Sequence, residues 1–433
     1  MTRTIYTLLL YILLPFTPIK LFLRSIKQPE YRQHWGERFG FYPAYRSNNK
    51  LVIWLHCVSV GETHAVEPLV NALLLHYPNH QILLSHTTPT GRATSKSLFG
   101  DKVNRVYLPY DVPFAVKRFL KYFSPVTGVL LETELWFNLI VECKNQQIPL
   151  LLVNARLSEK SMLGYQKIPK LINEGLNNLT AIAAQTEQDA ERLNNLGASN
   201  VSVLGNLKFD VTPPKNAAKQ GQLLRNLIGQ DRPVFLAAST RSYSGVNEEE
   251  LILQTLAQAN VENLVTIIVP RHPQRFDEVA ALLTKQGWAF ERKSTLKSAL
   301  PTTTKILLGD TMGELFTYYA ACDVAFIGGS LLPLGGQNLI EACALGKPVL
   351  IGPHTYNFAQ ATEQAISVGA ALRVQDPADL AVKLNHLLDN QQTYNQHAYS
   401  QASMSKAALQ FTKQEAGATT QGVMALLAGY IKS

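Results

Sequence analysis

The stretch Phe326-Ile-Gly-Gly-Ser-Leu-Leu-Pro-Leu-Gly-Gly-Gln-Asn-Leu-Ile-Glu-Ala-Cys-Ala-Leu-Gly-Lys-Pro-Val-Leu-Ile-Gly-Pro353 decides the fold class. With Asp323-Val-Ala before it, the apolar run ends in a glycine pair and reads as a buried parallel strand leaving a sheet. Gly335-Gly336 then leads through Gln337-Asn338 into a short helix predicted over Leu339 to Leu345. Gly346 stops that helix, Pro348 blocks its continuation and Val349-Leu-Ile opens the next strand. A glycine loop at a helix N-terminus bares backbone N–H groups and the positive end of the dipole, which suits a phosphate. Asn338 and Glu341 lie three apart on the first turn. They satisfy the pattern of an Asn-x-x-Glu capping box, and equally that of a carboxylate accepting the hydroxyls of a nucleotide ribose.

The same grammar runs through the chain from Leu51 onward. Apolar runs at Leu51–Val58, Gln81–His86, Arg105–Leu108, Val129–Leu131, Leu150–Asn154, Ala181–Ala184 and Val201–Leu204 alternate with helix-like segments. A second series follows at Val234–Ala238, Leu264–Val269, Lys305–Leu308, Val324–Ile327, Val349–Ile351 and Ala371–Val374. Repeated strand–helix alternation predicts parallel sheets covered on both faces, hence an α/β chain of two doubly wound, Rossmann-like domains facing a central cleft. Val211-Thr-Pro-Pro-Lys-Asn216 is the best linker candidate between them. The predicted division is an anchor over 1–27, a first domain over 28–212, a linker over 213–230, a second domain over 231–405 and a closing helical segment over 406–433.

The chain has 433 residues, 46% hydrophobic and 17% charged, enough for two or three ordinary cores. A formal net charge of +8, from 40 basic and 32 acidic residues, points to an anionic partner. No Lys/Arg run resembles a nucleic-acid arm, which leaves a membrane surface or a phosphorylated substrate. Cys57, Cys143, Cys322 and Cys343 are scattered without a C-x-x-C pair and read as buried free thiols of a reducing compartment. His76 and His80 have i,i+4 spacing, but Pro78 breaks the helix that would align them, so no metal site is expected.

Ile5 to Leu14 is almost wholly apolar, Pro15 and Pro18 follow, and Leu21-Phe-Leu is flanked by Lys20 and Arg24. Roughly 20 apolar residues span a bilayer, and this run reaches that length only through two prolines and a lysine. No small-residue cleavage site follows. Lys20, Arg24, Lys27, Arg32, Arg38 and Arg46 against Glu30 and Glu37 suit anionic headgroups and place the segment on the cytoplasmic side. The reading is an uncleaved signal-anchor, spanning or interfacial; a buried N-terminal helix is the plain alternative.

Polar residues collect at the ends of the predicted strands. Ser59-Val-Gly-Glu62 follows the first, Glu132-Thr-Glu134 the fourth, Asn154-Ala-Arg156 the fifth, and Gly205-Asn-Leu-Lys208 the seventh. In the second half, Thr240-Arg241, Pro270-Arg271-His272 and Asp310-Thr-Met-Gly313-Glu314 repeat the pattern. Glu62 reads either as a first-turn glutamate favoured by the helix dipole or as a general base. Glu132 and Glu134, two apart, share one face and call for a cation or a shared proton.

These residues resemble a known family, the 3-deoxy-D-manno-octulosonic acid (Kdo) transferases of lipid A assembly in Gram-negative bacteria. The motifs that carry the resemblance are Ser59-Val-Gly-Glu-Thr, Tyr107-Leu-Pro-Tyr-Asp111, Glu132-Thr-Glu-Leu-Trp, Asn154-Ala-Arg-Leu-Ser and Gly205-Asn-Leu-Lys-Phe-Asp. They continue as Val269-Pro-Arg-His-Pro-Gln-Arg275, Gly309-Asp-Thr-Met-Gly-Glu-Leu, Gly328-Gly-Ser-Leu and Gly352-Pro-His-Thr-Tyr-Asn-Phe, in the family's order over nearly the whole chain. The resemblance implies the two-domain GT-B glycosyltransferase fold and an inverting transfer of Kdo from CMP-Kdo to the lipid A precursor lipid IVA, at the cytoplasmic side of the inner membrane. It implies Glu62 as proton acceptor, with Glu132 and Lys208 stabilising the transition state. It places CMP against Pro270, Arg271, Met312, Gly313, Glu314 and the segment Asn338, Leu339, Ile340 and Glu341. No cofactor or metal is implied: CMP leaves as a monophosphate that cations and helix N-termini stabilise. No nucleic acid is implied as partner; inner-membrane lipids are.

The chain departs from the family pattern in several places, among them Leu339 where the family has Pro, which removes a pre-set first turn from the helix after Asn338. Gln337 stands where the family has His, Phe137 where it has Pro, and the loop after Thr240 is longer. Gln337 exchanges hydrogen bonds but carries no charge, so an ionic role of that His does not transfer. The competing readings are a GT-B transferase using another nucleotide sugar, such as a UDP-hexosamine, and a catalytically silent membrane scaffold, which would leave Glu62 and Glu132 unexplained. Nicotinamide-dependent oxidoreduction is disfavoured, since no G-x-G-x-x-G follows a strand.

Overall fold

The computed structural model describes residues 1–42, 50–211, 213–388, 399–415 and 417–431. Arg46, Thr212 and the side chain of Lys27, all used above, lie outside the described residues. The chain divides into two compact units, residues 1–210 with 417–433, and residues 211–416.

In the first unit the strands are β1 (Leu51–His56), β2 (His80–His86), β3 (Asn104–Tyr107), β4 (Pro125–Leu131), β5 (Leu150–Ala155), β6 (Ala181–Ala184) and β7 (Val201–Val203). They form one sheet in the order β3-β2-β1-β4-β5-β6-β7, with every pairing parallel. The cause is visible in β1. Val52 and Trp54 enter one core, with Phe119, Leu130 and Ile140, while Ile53 and Leu55 enter the opposite one, with Leu69, Val129 and Leu131. A strand buried on both faces needs helices on both sides, which parallel crossovers supply. The second core also takes Val423 and Leu427 from the last helix, Ala418–Ala428.

In the second unit the strands are β8 (Val234–Thr240), β9 (Ser242–Tyr243), β10 (Val246–Asn247), β11 (Val265–Pro270), β12 (Phe290–Arg292), β13 (Ile306–Leu308), β14 (Val324–Ile327), β15 (Val349–Ile351) and β16 (Ala371–Arg373). Seven of them form a second parallel sheet in the order β12-β13-β11-β8-β14-β15-β16. β9 and β10 form a separate antiparallel hairpin. The hairpin is the longer loop after Thr240; it turns at Ser244 and Gly245, both at positive φ, as a two-residue hairpin demands.

Three sequence boundaries move. The stretch 213–230, read as a linker, holds the helix Ala217–Ile228, whose Gly221 lies so close to Ala320 that a side chain there would collide. The helix is therefore part of the second unit's core packing. The closing segment 406–433 is not one element: Gln401–Glu415 belongs to the second unit and Ala418–Ala428 to the first. The helix after Asn338 is only Ile340–Ala344. In both sheets the strand order reverses next to the first strand, between β1 and β4 and between β8 and β14. Loops at the carboxyl ends of strands beside such a reversal are where open α/β sheets bind ligands.

Candidate active site

In the first unit the loop after β1 delivers Glu62. Ser59 caps the helix Val60–Ala65, so Glu62 is the third residue of its first turn. The Ser59 hydroxyl accepts from the Glu62 N–H and donates to Glu62 Oε1 at 2.8 Å, and the Val58 N–H donates to Oε2 at 2.8 Å. The carboxylate is thus fixed and 8% exposed. Burial raises its proton affinity above that of an ordinary carboxylate; the Val58 and Ser59 donors oppose this, Glu132 adds to it and Lys208 draws it back. Such a group takes a proton more readily than a solvated glutamate does.

Glu132 follows β4 directly, at φ 58°, and its carboxylate lies 3.3 Å from the Lys208 ammonium. Lys208 rides on a single 3₁₀ turn, Leu207–Phe209, held by a chain of amides. Asn154 Oδ1 accepts from Leu207 N–H, Asn206 Oδ1 accepts from Lys208 N–H, Asn206 donates to Gln185 Oε1, and Gln185 donates to the Asn154 carbonyl. Glu134 completes the cluster; burial first, and Glu62 second, push it up to about 7. The structure therefore brings Glu62, Glu132 and Lys208 together from three separate strand ends. Gln185 was not singled out from the sequence, and its Gln-Thr setting carries no signal that would do so. His56 and His86 are no rivals as base: burial pushes them down to about 3 and about 4, leaving neutral imidazoles bonded to Ser85 and the Cys57 carbonyl.

In the second unit the ends of β8, β11, β13 and β14 converge. Arg271 N–H donates to the Thr240 carbonyl at 3.0 Å. Asn338 Oδ1 accepts from Ile340 N–H, and its amide donates to Glu341 Oε1 at 3.1 Å, so capping and carboxylate positioning are one device. Burial pushes Glu341 up to about 7 against the pull of Asn338 and Arg271. Tyr319, missed in the sequence, lies buried beside both Glu341 and Arg271. Glu314 precedes the helix Leu315–Ala321 and accepts from the Thr311 hydroxyl; Met312 is 62% exposed, and Gly313 has φ 79°. Leu339 and Ile340 are fully buried, and the Ile340 N–H is taken by Asn338 Oδ1, so they support the Asn338–Glu341 pair from beneath.

The glycine loops differ from expectation. The N–H groups of Gly329, Ser330 and Leu331 all donate to the Glu248 carboxylate, at 2.6, 3.1 and 3.1 Å, and Arg241 N–H adds a fourth at 3.2 Å. Gly336 N–H donates to the Gly329 carbonyl. This nest, ahead of the Gly335–Gly336 loop, is filled by the protein's own carboxylate, from the first residue of the helix Glu248–Gln258 that follows the hairpin. A side chain at Gly329 would press on Gln337 Nε2.

Residues 33–211 match the family described as 3-deoxy-D-manno-octulosonic-acid transferase (kdotransferase). A 3-deoxy-D-manno-octulosonic acid transferase of Bordetella pertussis is 42% identical over 86% of this chain and 86% of its own length. The chain belongs to the Kdo transferase family. A Kdo transferase of Haemophilus influenzae is 39% identical over 88% of each chain. Among solved structures, Anabaena Alr3699/HepE in complex with UDP covers 88% of this Kdo transferase and 100% of itself at a TM-score of 0.58 and 15% identity, a likeness of fold alone. The two parallel sheets are thus those of a GT-B-like glycosyltransferase. In this Kdo transferase the carboxylate–lysine cluster belongs to one unit and the Arg271–Glu341 site to the other.

Proposed function

We propose that this chain transfers Kdo from CMP-Kdo to lipid IVA in lipopolysaccharide assembly, with Glu62 as general base, at the cytoplasmic face of the inner membrane. The observation that carries the reading is the Glu62 carboxylate, buried, doubly hydrogen-bonded and raised in proton affinity, beside the Glu132–Lys208 pair. An acceptor hydroxyl oxygen attacks the anomeric carbon of Kdo, and the bond to the CMP phosphate oxygen breaks with its electron pair. The hydroxyl proton passes to Glu62. Attack opposite the departing CMP inverts the anomeric centre. Lys208, held by Glu132, offers positive charge where negative charge develops.

Glu341 and Asn338 suit the ribose hydroxyls of CMP, with Arg271 supplying positive charge beside them. Pro270 and Met312–Gly313–Glu314 supply further contacts to the nucleotide, with Leu339 and Ile340 buried beneath the Asn338–Glu341 pair. The mechanism asks for no metal, because the leaving group is a monophosphate and cationic side chains suffice. The test is incubation of the pure protein with CMP-Kdo and lipid IVA, in parallel with a UDP-hexosamine, with masses of the lipid product read out. Addition of Kdo from CMP-Kdo is expected. An unchanged lipid IVA mass, or transfer only from the UDP sugar, sinks the reading.

A further inference from the structure

The segment before residue 28 folds as the helix Arg3–Leu13, the 3₁₀ turn Leu14–Phe16 and the helix Thr17–Lys27. Its two long faces differ. One is turned to the protein: the Arg3 guanidinium donates to Glu174 at 3.0 Å, Tyr6 OH to Asp111 Oδ2 at 2.8 Å, and Thr7 Oγ1 to Asn138 Oδ1 at 2.9 Å. The Tyr6 ring meets Phe137 edge-on at 5.2 Å, and Leu21 and Ser25 are buried at 4% and 1% exposure. Arg3, Tyr6 with Thr7, Leu21 and Ser25 fall on one stripe of a 3.6-residue period. The opposite stripe, Leu8, Ile12, Phe16, Ile19, Leu23 and Ile26, is apolar and 57–64% exposed.

By length and composition the continuous run Arg3–Ile26 is sufficient to cross a membrane. The contacts say otherwise. Each helix has 11 residues, about 16 Å at 1.5 Å per residue, against a hydrocarbon core of about 30 Å. A span would need both helices to leave the protein together. It would strip Tyr6 from a buried carboxylate that also caps the helix Phe137–Asn145 through the N–H groups of Asn138 and Leu139, and it would carry Arg3 across the bilayer. The exposed stripe meanwhile lies on a segment that carries Lys20, Arg24 and Lys27 beyond the paired Arg3, and no acidic residue, which suits an anionic lipid surface.

We infer that this segment is an in-plane anchor. Its apolar stripe enters the acyl boundary of one leaflet, its polar stripe stays clipped to the first unit through Glu174, Asp111 and Asn138, and both of its ends remain on the same side of the membrane. The inference rests on the membrane attachment in the reading above, not on its chemistry. Because Asp111 bonds both Tyr6 and the helix that follows the Glu132–Trp136 loop, the anchor and the catalytic unit are held as one piece.

The test uses the full chain with Thr2→Cys or Gln28→Cys, expressed in a Gram-negative host. The four native cysteines are buried, and the parent protein serves as the labelling blank. A membrane-impermeant maleimide is applied to sealed inverted inner-membrane vesicles and to right-side-out spheroplasts. Both cysteines are expected to label from the same face, within about twofold of each other. Labelling of Thr2→Cys only from the face opposite Gln28→Cys, or only after detergent, overturns the in-plane anchor; so does recovery of the protein as a soluble dimer. The same vesicles are assayed for transfer of Kdo to lipid IVA. Transfer with the two cysteines on opposite faces defeats the anchor alone, whereas same-face labelling without transfer defeats the proposed chemistry alone.

Discussion

The Lys208 ammonium lies 3.3 Å from the Glu132 carboxylate, although 76 positions separate them in the chain. Both groups also act on Glu62: Glu132 raises its proton affinity and Lys208 lowers it. In the proposed mechanism the pair therefore tunes the base as well as facing the developing charge. Glu62 must be ionised to accept a proton, so its proton affinity sets the acid limb of the kcat/KM–pH profile. Lys208→Ala is expected to cut kcat by about 10²–10³-fold and to move that limb to higher pH. Glu132→Gln, removing a like charge, is expected to move it to lower pH. A pH profile on lipid IVA checks both, and shifts in one common direction would defeat the assignment.

Glu62→Gln keeps the size of the side chain and one carbonyl acceptor for Val58 N–H. Loss of a positioned base costs about 10²–10⁴-fold in rate. The expected outcome is a kcat reduced by that factor in single-turnover transfer, with CMP affinity by calorimetry unchanged within about twofold. A variant that still transfers Kdo at half the parent rate removes Glu62 from the role.

The fold was legible because each unit buries its strands on both faces, so the strands show as apolar runs bounded by Gly and polar residues. β12 was not legible. Phe290-Glu291-Arg292 is a half-exposed edge strand with no apolar run, and its place comes from pairing to β13. The β9–β10 hairpin hid inside what reads only as a longer loop. At the site, Glu62, Glu132 and Lys208 were legible as strand-end residues, and the family resemblance supplied their roles. Their meeting was not, because spacing along the chain says nothing of strand order. Glu248 shows the limit most plainly: its partners Gly329, Ser330 and Leu331 lie 81, 82 and 83 residues away, and nothing local marks a glutamate as the occupant of a glycine nest.

Glu341 gives a pH signature for nucleotide binding. Burial pushes it up to about 7, so it gains a proton as pH falls through that value. A protonated carboxyl has less to offer two ribose hydroxyl donors. Affinity for cytidine, which carries no phosphate to titrate, is expected to weaken as pH falls from 8 to 6. Glu341→Gln is expected to bind about tenfold more weakly at pH 8, roughly the worth of one hydrogen bond to a charged group, and to show no pH dependence in that window. Titration calorimetry at three pH values decides. An unaltered pH dependence in the variant would remove Glu341 from the ribose.

In the second unit Arg275 and Glu249 form a buried ion pair beside the end of β8. Arg275 donates to both oxygens of Glu249, at 2.8 and 3.0 Å, and Thr240 OH donates to Glu249 Oε1 at 2.6 Å. Glu249 is fully buried and Arg275 is 7% exposed. Arg275→Leu leaves an uncompensated charge in the core and is expected to cost about 3–5 kcal/mol of unfolding free energy. Replacing both members with leucine removes the charge together with its partner, and such double replacements are often near neutral. Urea unfolding of the two single variants and the double variant is thus expected to show strong coupling, with the double variant more stable than either single one. Because Thr240 joins Glu249 to the end of β8, whose carbonyl holds the Arg271 N–H, Arg275→Leu is also expected to weaken CMP binding while leaving the Glu62 cluster, in the other unit, untouched. Additive losses in the double variant would show that the pair is incidental to the second unit's stability.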